Sequence, residues 1–124
     1  MDLILVDTSV WIDHIRGGSE PLLMLVQAGR CMVHPYVIAE IALGNLPLWE
    51  MRIAQLRALP TVDPIATNQL LEVVRSLSLP GSGLGFVDVH LLATVAAHPG
   101  MLLWTRDRRL RRKAAELSIA AELE

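Results

Sequence analysis

Short runs of apolar residues alternate along this chain with longer segments whose apolar residues recur at helical spacing. The four apolar residues at 3–6 end at turn-type residues, which favours a buried parallel strand over a helix because the run is so short. Similar runs predict further strands at 31–34 and 101–104, and two weaker ones at 60–62 and 119–123. Each strand is separated from the next by a segment long enough for a helix.

The segments between these strands carry helix start and stop signals. Thr8 or Ser9 is the expected N-cap of the first helix, which ends at Gly17. Asp63 and Pro64 are the expected N-cap and first residue of a later helix. Further helices are predicted at 20–28, 35–43, 47–58, 64–77 and 86–97, followed by a basic helix with Leu110, Ala114 and Leu117 facing inward.

Alternation of strands and helices predicts an α/β sandwich around a central, mainly parallel sheet of four to five strands. The chain of 124 residues is near the commonest size of a single domain, so one domain over residues 1–124 is expected. No internal repeat, linker or low-complexity segment interrupts it.

Composition excludes several classes of protein. Although 52% of the residues are hydrophobic, no apolar segment approaches the roughly 20 residues that span a bilayer. The second residue is acidic and no signal peptide is recognisable, so a cytoplasmic protein is expected. Cys31 is the single cysteine, which excludes an intrachain disulfide and a multi-cysteine zinc site.

Four carboxylates stand where packing alone favours an apolar side chain. Asp7 and Asp107 each follow a predicted strand, and the carboxyl ends of parallel strands meet at one edge of a sheet. Glu40 and Asp88 lie in helices that are otherwise apolar. Helix capping or the helix dipole explains the three aspartates one at a time but leaves Glu40 unexplained. A shared cause is a cluster of oxygen ligands, which suits Mg²⁺ or Mn²⁺.

Basic residues are concentrated next to one of these acids. The formal net charge is only -2, yet six of the eleven Lys and Arg residues fall within the stretch RDRRLRRK at 106–113. Such a run forms either a solvated helix face or a patch that binds phosphates. The arginines of the stretch are Arg106, Arg108, Arg109, Arg111 and Arg112.

Taken together, the order and spacing of these residues resemble the PIN-domain ribonucleases, in particular the small toxins of VapBC toxin–antitoxin pairs. The resemblance covers essentially the whole chain. It rests on four motifs, which are Asp7-Thr8-Ser9 after the first strand, Glu40 with Gly44, Asp88 followed by His90-Leu91-Leu92-Ala93, and Thr105-Arg106-Asp107 after a late strand.

This resemblance implies a PIN-like α/β/α sandwich and a metal-dependent endoribonuclease. The residues that match the acidic metal site of the family are Asp7, Glu40, Asp88 and Asp107, with a supporting hydroxyl from Thr8, Ser9 or Thr105. In such a site one or two Mg²⁺ or Mn²⁺ ions activate a water for in-line attack on the phosphate. The carboxylates hold metal and do not attack.

RNA, an antitoxin and a second copy of the chain are the partners that the resemblance implies. An acidic pocket repels RNA, so a cationic surface must bring the backbone in, and the arginines at 106–112 adjoin Asp107. We therefore interpret them as RNA-binding. The surplus of apolar residues fits a homodimer that also binds a VapB-like antitoxin.

Other functions remain as alternatives. A receiver-type phosphoacceptor domain needs a lysine after a late strand, whereas Lys113 is the only lysine and lies inside a predicted helix. A haloacid-dehalogenase-like phosphatase needs an acid two residues after Asp7, where Ser9 stands. A third alternative is a non-catalytic RNA-binding or antitoxin-docking protein of the same fold. The four histidines lack metal-ligand spacing and are interpreted as helix-end or packing residues.

Overall fold

A computed structural model describes residues 2–123, in which seven helices surround a three-stranded sheet. The strands are β1 (Leu3–Val6), β2 (Cys31–Met32) and β3 (Met101–Trp104). The helices are α1 (Thr8–Gly17), α2 (Glu20–Gln27), α3 (Pro35–Ala42), α4 (Trp49–Arg57), α5 (Thr67–Ser76), α6 (Phe86–Ala97) and α7 (Arg108–Glu116).

The sheet is parallel, with β1 in the centre between β2 and β3. Leu3 to Val6 pair in register with Met101 to Trp104, so β1 and β3 end side by side. Helices connect the parallel strands, as crossover connections require. The α/β class and the parallel sheet predicted from the sequence are confirmed. Asp7 and Thr105 consequently emerge next to each other at one edge.

The prediction of four to five strands is wrong for the described residues. The segment at 60–62 pairs with β2 only through a bridge between Val33 and Thr61. Continuing this pairing in either direction needs N–H groups at positions held by Pro35, Pro60 and Pro64, and proline has none. The segment therefore lies beside the sheet without becoming a strand.

The segment predicted as a strand at 119–123 also makes a single bridge, between Leu103 and Ala120. Leu103 N–H donates to the carbonyl of Ile119, and Ala121 N–H donates to that of Leu103. Toward the start of the segment the ladder stops, because Ile119 N–H donates to Ala114 and Met101 N–H donates to His98. These donors close the turns that follow α7 and α6.

Three helix starts also differ from the predictions, and one of them is α4, which begins at Trp49 and not at residue 47. Asp7, and not Thr8 or Ser9, occupies the N-cap position of α1. Helix α5 begins at Thr67 and not at Pro64, because Val62 N–H donates to Val33 and keeps the preceding chain extended. The inward positions of α7 are confirmed, since Leu110 and Ala114 are fully buried and Leu117 packs against the core.

Central strand β1 forms the middle of the hydrophobic core. Ile4, Leu5 and Val6 are almost completely buried, together with Leu103 and Trp104 of β3. This core fixes the sheet edge from which the polar residues project.

The helices described between residues 2 and 123 lack the length and apolar character that crossing a bilayer requires.

Candidate active site

Asp7 is a buried carboxylate held by two hydroxyl groups. It directly follows β1 and is only 5% exposed. Its Oδ2 atom accepts hydrogen bonds of 2.7 Å from Ser9 Oγ and from Thr105 Oγ1. Its side chain makes no capping hydrogen bond to α1, so capping does not explain this residue. A buried carboxylate is costly unless it is hydrogen-bonded, and these hydroxyls meet part of that cost.

The same hydroxyls join the ends of β1 and β3. Arg106 N–H donates to Ser9 Oγ over 3.0 Å, and Asp107 N–H donates to Thr105 Oγ1 over 3.1 Å. The turn at 105–107 is thereby tied to the first turn of α1. Ser9 and Thr105 orient Asp7 and are themselves oriented by backbone N–H groups.

Glu40 is brought to this edge by α3. Its Oε1 atom accepts a 2.7 Å hydrogen bond from Thr8 Oγ1. Thr8 and Ser9, although adjacent in sequence, therefore serve different acids. Each of the three hydroxyl residues proposed as supports contacts one of the predicted acidic residues.

Asp88 lies in the first turn of α6, where its Oδ2 accepts a 3.1 Å hydrogen bond from Gly85 N–H. Its pKa is raised, chiefly because burial disfavours the charged form, although the Gly85 N–H opposes that shift. The negative charges of Asp7, Asp107 and Glu40 raise the pKa of Asp88 further. The negative charges of the other three carboxylates therefore all reach Asp88.

Asp107 has a structural role that the other acids lack. It is the N-cap of α7, one position before the helical turn in which it was predicted, and its Oδ1 accepts a 2.9 Å hydrogen bond from Leu110 N–H. An aspartate in this position stabilises the helix start. Asp107 therefore caps the helix as well as contributing negative charge to the site.

The chemistry of this group fits a hydrated divalent ion. Within residues 2–123, no group of three or more His, Cys, Asp and Glu side chains is arranged so that it could hold a metal ion by itself. Mg²⁺ does not need such a group, since it usually keeps several waters and binds through one or two carboxylates. The mutual repulsion that raises the pKa of Asp88 is relieved by a cation, so the residues present suit Mg²⁺ or Mn²⁺.

Arginines and acids line the same cleft. Its volume is about 370 Å³, and its walls are formed by Gly83, Asp88, Asp107, Arg108, Arg109 and Arg112. Arg109 Nη1 donates a 3.1 Å hydrogen bond to the carbonyl of Gly83, which ties the loop before α6 to α7. Three of the five arginines interpreted as RNA-binding thus lie beside two of the acids.

The other two arginines do not line this cleft. Arg106 Nη1 forms a 2.8 Å salt bridge with Asp13 Oδ2, and its guanidinium lies 5.8 Å from the ring centre of Trp104. Arg106 therefore links the start of α7 to α1. Arg111 is exposed on α7. Its sequence neighbours alone gave no reason to separate it from Arg112.

An aromatic cluster beside the acids was missed by the sequence analysis. The rings of Tyr36 and Phe86 stack with centroids 5.9 Å apart, and His90 packs against both. The available signal was that the single Tyr and the single Phe each stand in a first helical turn. Interpretation of histidines as helix-end or packing residues is confirmed for His34, which caps α3, and for buried His90.

Comparison with known proteins agrees with this geometry. A family model described as the PIN domain matches residues 4–116. The chain is 40% identical over 118 residues to Ribonuclease VapC32 of two Mycobacterium tuberculosis strains, H37Rv and CDC 1551, with 95% of each chain covered.

Two solved structures are similar in fold. The crystal structure of PAE2754 from Pyrobaculum aerophilum matches with a TM-score of 0.67 and 18% identity, covering 98% of this chain and 90% of that one. The crystal structure of DNA-bound VapBC from Salmonella typhimurium matches with a TM-score of 0.66 and 16% identity, covering 88% and 90%. At these identities the matches bear on the fold, and they confirm that it is PIN-like.

Proposed function

This chain belongs to the PIN domain family and is a homologue of VapC ribonucleases, and from that premise we propose that it is a divalent-metal-dependent endoribonuclease. We further propose that it is the toxin of a toxin–antitoxin pair, acting on RNA in the cytoplasm. The observation that carries the proposal is the environment of Asp7. This buried carboxylate makes no capping hydrogen bond and is held by two hydroxyls. Its negative charge, together with those of Asp107 and Glu40, raises the pKa of Asp88.

In the proposed mechanism each polar residue has a separate task. The negative charge of Asp7, Glu40 and Asp88 would hold a hydrated Mg²⁺ or Mn²⁺, with Asp107 adding charge beside them. When bound, the metal supplies a Lewis acid that activates water and offsets charge on the phosphate. Ser9 and Thr105 fix Asp7, and Thr8 fixes Glu40. The arginines of the cleft hold the RNA backbone next to the acids.

The proposal is tested by incubating the purified protein with RNA in Mg²⁺ or Mn²⁺, with and without a chelator. Endonucleolytic cleavage that the chelator stops is the expected result. RNA binding without cleavage in either metal would favour the alternative of a non-catalytic RNA-binding protein. Transfer of phosphate to Asp7 from a small phosphodonor would instead favour a receiver-type domain.

The cleft arginines are predicted to set the salt dependence of RNA binding. The logarithm of the RNA association constant falls linearly with the logarithm of the salt concentration, and each single-strand phosphate contact contributes about 0.7 to the steepness of that line. Replacing Arg108, Arg109 and Arg112 together by Gln should therefore make the line less steep by about 2. Affinity is measured in chelator so that RNA stays intact. The matched control replaces three exposed arginines outside the cleft, Arg16, Arg57 and Arg75, and should leave the slope unchanged. Equal slopes in the two triple variants would contradict the assignment.

A cognate antitoxin and a second copy of the chain are the proposed protein partners. Large apolar side chains are exposed at Leu23, Met24, Leu43, Leu48, Trp49 and Met51. Patches of this kind mark surfaces that another chain covers. In addition, the negative charges around Asp88 attract a cation, so we propose that the antitoxin places an Arg or Lys side chain next to Asp88.

If that cation and the catalytic metal use the same negative charge, they compete. Antitoxin affinity is then expected to fall as Mg²⁺ is titrated in, and linkage requires the antitoxin to weaken Mg²⁺ binding by the same factor. Calorimetric titration with the antitoxin at several Mg²⁺ concentrations measures this. Asp7→Asn should reduce the dependence, and Asp63→Asn, an exposed acid outside the site, should not. Affinity that is independent of Mg²⁺ would mean inhibition by blocking RNA access alone.

A further inference from the structure

The only Tyr and the only Phe of the chain contact each other, and they lie on the two helices that carry Glu40 and Asp88. Their ring centroids lie 5.9 Å apart with an angle of 24° between the planes, which is a stacked arrangement. Tyr36 lies one helical turn before Glu40 on α3, and Phe86 lies two residues before Asp88 on α6. The stack is therefore built on the same two helices, α3 and α6, that bring two of the acids into the site.

Phe86 is exposed and yet held in place. Its side chain is 64% exposed, whereas the ring of His90, which is 2% exposed, packs edge-on against it at 4.6 Å. His90 also meets Tyr36 edge-on at 4.8 Å, so the three rings brace one another. Phe86 thus offers a firmly positioned aromatic surface to solvent, and an exposed apolar surface of this kind is typical of a binding site.

The surroundings of Phe86 indicate the chemistry of its ligand. Gly83 and Asp88, which lie three and two residues from Phe86, line the cleft together with Arg108, Arg109 and Arg112. A ligand that meets both features has a flat aromatic group joined to phosphate. Nucleotides have this composition, and they expose a base face only where the strand is unpaired.

We propose that Phe86, backed by Tyr36, stacks on an unpaired base of the RNA next to the phosphate that enters the acidic site. The inference rests on the proposed function and adds to it a residue that holds one base of the substrate beside the reacting phosphate. Phe86 acts here as a positioning residue, since it holds the base while the acids and arginines handle the phosphate.

Binding to short RNA, measured in chelator, tests the proposal separately from cleavage. Phe86→Ala should weaken binding to a single-stranded oligonucleotide by about tenfold to a hundredfold, the range found when a stacking aromatic is removed. Phe86→Trp should retain it. The matched control is Leu71→Ala on α5, whose side chain is equally exposed at 62%. A 2-aminopurine base in the oligonucleotide should be quenched by wild type and not by Phe86→Ala.

Three further outcomes complete the test. Affinity for a duplex of the same sequence should not depend on Phe86, and an equal loss on the duplex would overturn the proposal. So would equal single-strand affinity of Phe86→Ala and Leu71→Ala. A shift of Phe86→Ala from dimer to monomer in sedimentation, with single-strand affinity retained, would assign Phe86 to contact with a second copy. Wild-type protein that cleaves no RNA overturns the proposed function, whereas cleavage combined with no role of Phe86 in binding overturns this inference alone.

Discussion

Asp7→Asn is expected to reduce RNA cleavage by roughly a thousandfold or more while leaving the protein folded, the equivalent of about 4 kcal/mol of lost transition-state stabilisation. The substitution keeps the volume of the side chain, and its amide oxygen still accepts a hydrogen bond from Ser9 or Thr105. It removes the charge that a metal needs. Glu40→Gln and Asp88→Asn should have similar effects for the same reason. Cleavage rates in Mg²⁺, with circular dichroism to check folding, provide the measurement.

The loss of RNA cleavage is expected to differ among the four acids. Asp107→Asn should be milder, because Asp107 already uses Oδ1 to cap α7 and asparagine caps a helix equally well. Asp63→Asn, in the exposed segment before α5, is the matched control and should cleave at the wild-type rate. If the Asp7 and Asp88 variants also cleave at that rate, the site has been placed on the wrong residues.

The main strands were predictable because their sequence signal is local. Residues 3–6 and 101–104 are continuous apolar runs that end in polar residues, and the structure has β1 and β3 at these bounds. The extra strand predicted at 60–62 failed in part for a reason that is not local. Whether residues 60–62 extend a sheet depends on which N–H groups remain for the neighbouring strand, and Pro35, remote in sequence, removes one of them. Apolar pattern alone does not contain that information.

The acids were found because each conflicts with its local pattern, whereas the assignment of the hydroxyls needed three dimensions. Ser9 points back to Asp7 while Thr8 points across to Glu40, and only the placement of α3 next to α1 separates the two. The arginines needed three dimensions as well. Arg111 and Arg112 lie three and four positions after Arg108, and both spacings place a side chain near that of Arg108 on a helix. Only the structure shows that Arg112 lines the cleft whereas Arg111 does not.

The sequence contained only a weak signal of the aromatic cluster. Tyr36 and Phe86 are 50 residues apart in the chain, and each alone looks like an ordinary apolar residue in a first helical turn. Their contact exists because α3 and α6 both begin at the sheet edge that carries the acids. The same arrangement buries His34 and His90 beneath the rings, and this burial has a measurable consequence for stability.

Stability is expected to fall in mild acid because of His34. This residue is fully buried, and its Nδ1 accepts a 3.0 Å hydrogen bond from Tyr36 N–H at the start of α3. The proton of the neutral ring is therefore on Nε2, and a second proton would have to displace the Tyr36 bond. Burial, and secondarily the charge of His90, lowers the pKa of His34 from 6.5 to about 4. His90, the other histidine ring that packs against it, also has its pKa lowered by burial.

The free energy of unfolding decreases as the pH falls, because the unfolded chain binds a proton at His34 more readily than the folded chain does. Between pH 6.5 and 4 the unfolded chain protonates His34 and the folded chain does not, so this contribution to stability is complete above pH 6.5 and is lost as the pH falls. His34→Asn keeps a capping acceptor and removes the titration. Urea denaturation at pH 7.5 and pH 5.0 should show wild type losing about 2 kcal/mol more than His34→Asn over that interval. Carboxylates titrate alike in both proteins, so the difference between them isolates His34. Equal losses would show that the folded protein accommodates a charged ring at this position, and that the Tyr36 hydrogen bond does not hold Nδ1 unprotonated.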